Sequence, residues 1–259
     1  MFAFLAEELA AVVLVGIELI DDGVGVLGVA AQLQHRFVVV VHAVDVALRQ
    51  QAAVRGEQEI AKVALLQRQC ENLHAALRLP LAALAFPSLR QRPAAELVAL
   101  QKLIAALVQA DGRIAAFEFV LARMLAVQLD DWLAPAAHGA VGKRRLAELE
   151  DDAALLLSVI ADAGHASGEE ARRAFAAGWS QLWPQSARQP LLPAAWPQAL
   201  DVALTRLDGL MPMAKQMLIE ALVKTLAHDG RVTVGEAELL RVTCASLHCP
   251  LPPALAGAA

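Results

Sequence analysis

The residues best spaced for chemistry occur twice. Ala110-Asp111-Gly112-Arg113-Ile114-Ala115-Ala116-Phe117-Glu118 matches His228-Asp229-Gly230-Arg231-Val232-Thr233-Val234-Gly235-Glu236 at an offset of 118 residues. Both copies read D-G-R-apolar-x-x-x-E, and the match extends to Leu121 with Leu239 and Arg123 with Arg241. A repeat of this kind points to one helix-turn-helix unit used twice. Acidic residues at this spacing admit two uses. One is a divalent-cation site on Asp111, Glu118, Asp229 and Glu236, because the pattern reproduces the middle and closing positions of a calcium EF-hand loop. The other is local structure: glycine closes a helix in the left-handed conformation, and the preceding aspartate satisfies nearby backbone amides. Thr233 and Glu236 then form a T-x-x-E capping box for the next helix. The first copy has Ala115 where the cap belongs, so its helix should start less crisply.

The earlier EF-hand positions separate the two uses. The first and third ligands of such a loop would be Leu107 and Gln109 in one copy, and Thr225 and Ala227 in the other. These leave too few oxygens for a calcium cage. Turn and cap is therefore the reading adopted, with a weak cation site on the four carboxylates as its alternative.

Other chemistry is sparse. The seven histidines, His35, His42, His74, His138, His165, His228 and His248, include no H-E-x-x-H pair, which would put two imidazoles and a general base on one helical face. Glu71 to His74 is an isolated E-x-x-H, and His248 beside Cys249 offers two potential ligands without a second pair. Phosphate-cradling glycine loops and nucleophile elbows are missing. The run Glu148, Glu150, Asp151, Asp152 follows Lys143-Arg144-Arg145 and reads as the solvated, ion-paired first half of a helix. Cys70, Cys244 and Cys249 form no CxxC, which suits buried thiols in a reducing compartment better than a disulfide framework.

The elements that would hold these residues are helical. Hydrophobic residues make up 58% of the chain and aromatic residues only 4%, so the core must be Ala, Leu and Val. Pro93 suits the start of a helix ending near Ala110, and a second helix is predicted from about Ala115 to Gln128, with Phe117, Val120, Leu121, Met124 and Leu125 on one face. A looser stretch holds Trp132, Pro135, Gly139 and Gly142. Further helices are expected from about Arg144 to Ala163, from the Ser167/Glu170 capping box through Trp179, from Pro197 through Leu207, near Pro212 to His228, and near Val234 to Leu247. Gln185 to Pro193 reads as a linker.

Residues 1–76 differ in kind. From Met1 to Pro87 there is no Ser, Thr, Tyr or Trp, and valine accumulates in runs such as Val38-Val39-Val40-Val41. The usual N-caps are therefore lacking. Either the segment forms a small strand-containing layer over Phe37 to Val41 and Val44 to Val46, or it is translated from the wrong frame of a high-GC gene; the second is favoured. Residues 1–60 carry three Arg and eight Asp or Glu, so they hold the whole formal net charge of -5. That acidic balance disfavours nucleic acid as a partner. The apolar runs Leu9 to Ile20 and Phe37 to Leu48 are too short and too charged to span a membrane.

Residues 76 to 259 resemble the long helical C-terminal extension of bacterial membrane zinc metallopeptidases of the CAAX prenyl protease and heat-shock protease class. The resemblance rests on Arg78-Leu79-Pro80-Leu81 with Pro87-Ser88-Leu89-Arg90, on both D-G-R turns, on Glu236-Ala237-Glu238-Leu239-Leu240-Arg241, and on Leu247-His248-Cys249-Pro250-Leu251-Pro252-Pro253. The paired hairpins are also similar to the tellurite-resistance-B-like fold. The resemblance implies an all-α accessory domain over residues 77–259, with zinc and proteolysis belonging to the parent and no cofactor in this chain. It implies a protein partner, a cytoplasmic or inner-membrane-associated setting, and a chain that is a piece of a longer protein. The alternatives are a stand-alone stress-response module linked to metal through the acidic turns, and the non-catalytic part of a split peptidase.

Overall fold

The computed structural model describes residues 116–135 and 141–252, with single positions and short runs among residues 79–102. Its backbone divides into two compact units, Met1–Leu133 and Ala134–Ala259. Among the described residues the fold is all-α, and the only extended pairing is an isolated bridge between Arg144 and Leu210. The boundary near residue 76 and the valine-rich strand reading lie outside the described residues.

In the first unit, α1 spans Ala116–Leu133. It buries Phe119, Val120, Met124, Val127 and Leu129. Leu129 joins Phe86, Leu89 and Leu97 in a small apolar cluster, flanked by Leu125 and Leu133. Arg90 lies 5.0 Å from the Phe86 ring centroid and 5.2 Å from that of Trp132. The helix runs five residues beyond the predicted end at Gln128, because Leu129 belongs to the core and Trp132 stays helical to stack with Arg90. Pro135 cannot continue it.

The second unit holds α2 (Glu150–Gly164), α3 (Gly168–Leu182), α4 (Trp196–Leu207), α5 (Pro212–Leu226) and α6 (Val234–Ser246). Every residue from Leu156 to Ala161 is buried, so the middle of α2 is enclosed on all faces, and the helix touches each of the other four. Buried leucines of this kind stabilise a fold by about 1.5–3 kcal/mol each. α3 and α5 pack closely where Gly178 faces Thr225 Oγ1 and the Ala221 carbonyl. A methyl group there would overlap both.

Local stop and start signals work as expected. Ser167 Oγ accepts from the Glu170 amide at 3.2 Å, Pro197 and Pro212 stand in the first turns of α4 and α5, and Leu200, Leu204 and Leu207 are buried. The start of α2 is a correction. The predicted helix from Arg144 begins with a 3-10 turn at Leu146–Leu149 and becomes α-helical only at Glu150. The Arg144 amide donates to Gly209 O at 2.9 Å and its carbonyl accepts from Met211 at 2.9 Å, which holds the chain extended there.

The expected linker is pinned at three points. Ser186 O accepts from Trp179 Nε1 at 3.1 Å, the Leu191 amide donates to buried Ser158 Oγ at 3.1 Å, and the Arg188 guanidinium sits 5.3 Å above Trp179. Trp179 also stacks with Phe175 and with Trp183.

Candidate functional site

The second D-G-R turn joins α5 to α6. After α5 the chain passes through a 3-10 turn at Ala227–Asp229, and Gly230 takes φ 74° and ψ 11°, the left-handed conformation that glycine adopts without steric cost. Asp229 Oδ1 accepts the Arg231 amide at 2.9 Å. Thr233 caps α6 in a complete capping box: the Glu236 amide donates to Thr233 Oγ1 at 3.3 Å, and Glu236 Oε2 accepts from the Thr233 amide at 2.8 Å and its hydroxyl at 2.9 Å. The turn and cap expected from the sequence are present in this copy.

Of the four candidate cation ligands, Asp229 and Glu236 are therefore engaged with backbone and cap. Asp111 and the side chain of Glu118 lie outside the described residues, and so does most of the first hairpin. Glu236 is fully buried, its Oε1 has no hydrogen-bond partner among the described residues, and its carboxylate lies against Gly164 at the end of α2. Beside Gly164, His165 Nδ1 is 2.9 Å from the Ala161 carbonyl and its ring centroid is 6.2 Å from that of His228. Sequence reasoning did not single out the approach of His165 to His228. Their wide spacing along the chain hides it. No group of three His, Cys, Asp or Glu side chains among the described residues is placed to hold a metal ion.

The opposite end of α6 is closed by a second polar cluster. The Cys249 amide donates to Cys244 O at 2.9 Å and the His248 amide to Ala245 O at 3.1 Å, the paired bonds of a Schellman motif. His248 occupies its left-handed position with φ 52°, where glycine is usual. Lys215 Nζ donates to Leu247 O at 2.7 Å and to Asp208 Oδ1 at 2.6 Å, and His248 Nδ1 lies 3.0 Å from the same oxygen. Burial raises the Asp208 pKa, but hydrogen bonds from Lys215 and His248 outweigh it and hold the carboxyl below the ordinary carboxylate range.

Burial disfavours the thiolate form of both nearby cysteines. Burial pushes Cys244 up to about 12, with a contribution from Cys249, and burial also raises Cys249, opposed by the charge of Lys215. Cys249 Sγ donates to Leu247 O at 3.4 Å rather than to an imidazole. His248, Asp208 and Cys249 thus close a helix without forming a nucleophile relay.

The acidic run at the start of α2 lines an open groove of about 510 Å³. Its ion-pair partners come from farther along the chain than the neighbouring Lys143-Arg144-Arg145. Arg188 pairs with Glu150 at 3.4 Å and with Asp151, and Arg206 with Asp152 at 3.5 Å. Burial raises the Asp152 pKa, and Arg206 offsets this only in part.

No family model, curated protein or solved structure matches the chain.

Proposed function

We propose that this chain is a non-catalytic helical accessory module that acts on a protein partner through helix-face contacts. The partner is taken to be a zinc metallopeptidase of the class that residues 76 to 259 resemble. The observation that carries the reading is the engagement of Asp229 and Glu236, which bond to the Arg231 amide and to Thr233 and so serve the turn and cap. Zinc belongs to the partner in this reading, and no residue here is assigned to it.

The contact face is placed at the start of α5. Met213 is 66% exposed and Met217, one turn later, 40%, with Met211 just before the helix at 38%. Flexible, polarizable methionines suit adaptable contact surfaces. No helix among the described residues is long and apolar enough to cross a membrane.

The test replaces Met213 or Met217 with a photo-cross-linking residue and irradiates the full chain with a purified metallopeptidase of that class. The expected result is a cross-link at both positions, lost when the other methionine is changed to glutamate. Cross-linking no greater than from a probe at Leu191 would overturn the reading.

A further inference from the structure

We propose that Cys244 and Cys249 are a redox modification site, a dithiol that a low-molecular-weight disulfide of the glutathione class converts reversibly to an intramolecular disulfide at the C-terminal cap of α6. The inference is independent of the partner reading above.

With α6 ending at Ser246 and Leu247 as its C-cap, Cys244 is the third residue from the helix end and Cys249 the second residue beyond the cap. The Schellman motif brings these two positions together, and their side chains commonly touch. A hydrogen bond of 2.9 Å joins the Cys249 amide to the Cys244 carbonyl. The short covalent bonds flanking it, bent at both N and C, keep the two Cα atoms within the separation of about 4.4–6.8 Å that a disulfide bridges. Both cysteines are free in the structure.

Access differs between the pair. Cys244 is 2% exposed, while Cys249 is only partly buried. Cys249 therefore meets the oxidant first. Its thiolate attacks one sulfur of oxidised glutathione, forming a mixed disulfide and releasing one glutathione thiolate. The Cys244 thiolate then attacks Cys249 Sγ and releases the second. Two protein thiols are oxidised and one glutathione disulfide is reduced to two glutathione thiols, with their protons transferred to the leaving thiolates. The bond that Cys249 gives up is the one to Leu247 O, and Lys215 Nζ still donates to that carbonyl at 2.7 Å. The cap is left satisfied.

The experiment uses the full chain carrying Cys70→Ser, equilibrated with oxidised and reduced glutathione, trapped with an alkylating agent and weighed intact. The expected product has lost two hydrogens, takes up no alkyl group and returns to two alkylatable thiols with excess reduced glutathione. Cys244→Ser should instead stop at a stable glutathione adduct on Cys249. The oxidation rate should keep rising with pH beyond the range of an unperturbed thiol. A persistent glutathione adduct on the chain that retains both cysteines, or two alkylatable thiols after full equilibration, would overturn the proposal.

Discussion

The two ends of α6 are closed by chemistry drawn from different distances along the chain. At its start, Thr233 and Glu236 are three residues apart and satisfy each other's groups. At its end, Lys215 reaches Leu247 O from 32 residues away, and Asp208 holds His248 from 40 residues away. The first closure is a property of a short segment, while the second exists only once α4, α5 and α6 have packed. The contrast makes the N-terminal end a local device and the C-terminal end a readout of tertiary structure.

The sharpest way to break this contrast is Asp208→Ala. It leaves Lys215, whose side chain is only 13% exposed, without its carboxylate and removes the contact of His248 with Asp208. A loss of about 2 kcal/mol is expected in urea unfolding. Lys215→Met in the same chain should recover part of it, because the stranded charge is gone. Gly230→Ala should cost about 1–2 kcal/mol from the left-handed backbone alone, since no atom lies within 4 Å of the added methyl. Thr233→Ala should cost about 1 kcal/mol through loss of the cap, again by urea unfolding.

Acid titration sharpens the comparison further by sign. Asp208 has a lowered folded pKa, so its stabilisation is present above the unfolded value of about 3.9 and is lost as pH falls through the folded value. Asp152 has a raised folded pKa, so its contribution is present below the unfolded value and is lost as pH rises through the folded one. Asp208→Asn should therefore flatten the loss of stability on acidification, and Asp152→Asn should leave neutral-pH stability equal to the parent or slightly above it. The smallest effect is expected for His248→Gly. Relief of the positive φ there offsets the lost contact with Asp208, so the midpoint should hardly move.

What was legible in the sequence follows the same division. Ser167, Pro197, Pro212, Gly230 and the Thr233/Glu236 pair act within one turn of helix, and the structure has helix starts or stops at each. The onset of α2 was hidden because the Arg144 backbone is held by Gly209 and Met211, more than sixty residues on. The extension of α1 to Leu133 depends on burial of Leu129 and the stacking of Trp132 under Arg90, neither of which periodicity alone reveals. In the candidate site, the roles of Asp229 and Glu236 could be read directly. Neither the Asp208-Lys215-His248 clasp nor the approach of His165 to His228 has a sequence signature, because each joins residues from separate helices or turns.

The central claim is that the acidic residues of the second D-G-R turn hold backbone and cap rather than a cation. Calorimetric titration of the full chain with calcium, zinc and manganese, repeated on Asp229→Ala and Glu236→Gln, tests it most directly. The account predicts no saturable heat that either substitution removes. Saturable binding abolished by Asp229→Ala, and likewise by Asp111→Ala, would contradict it.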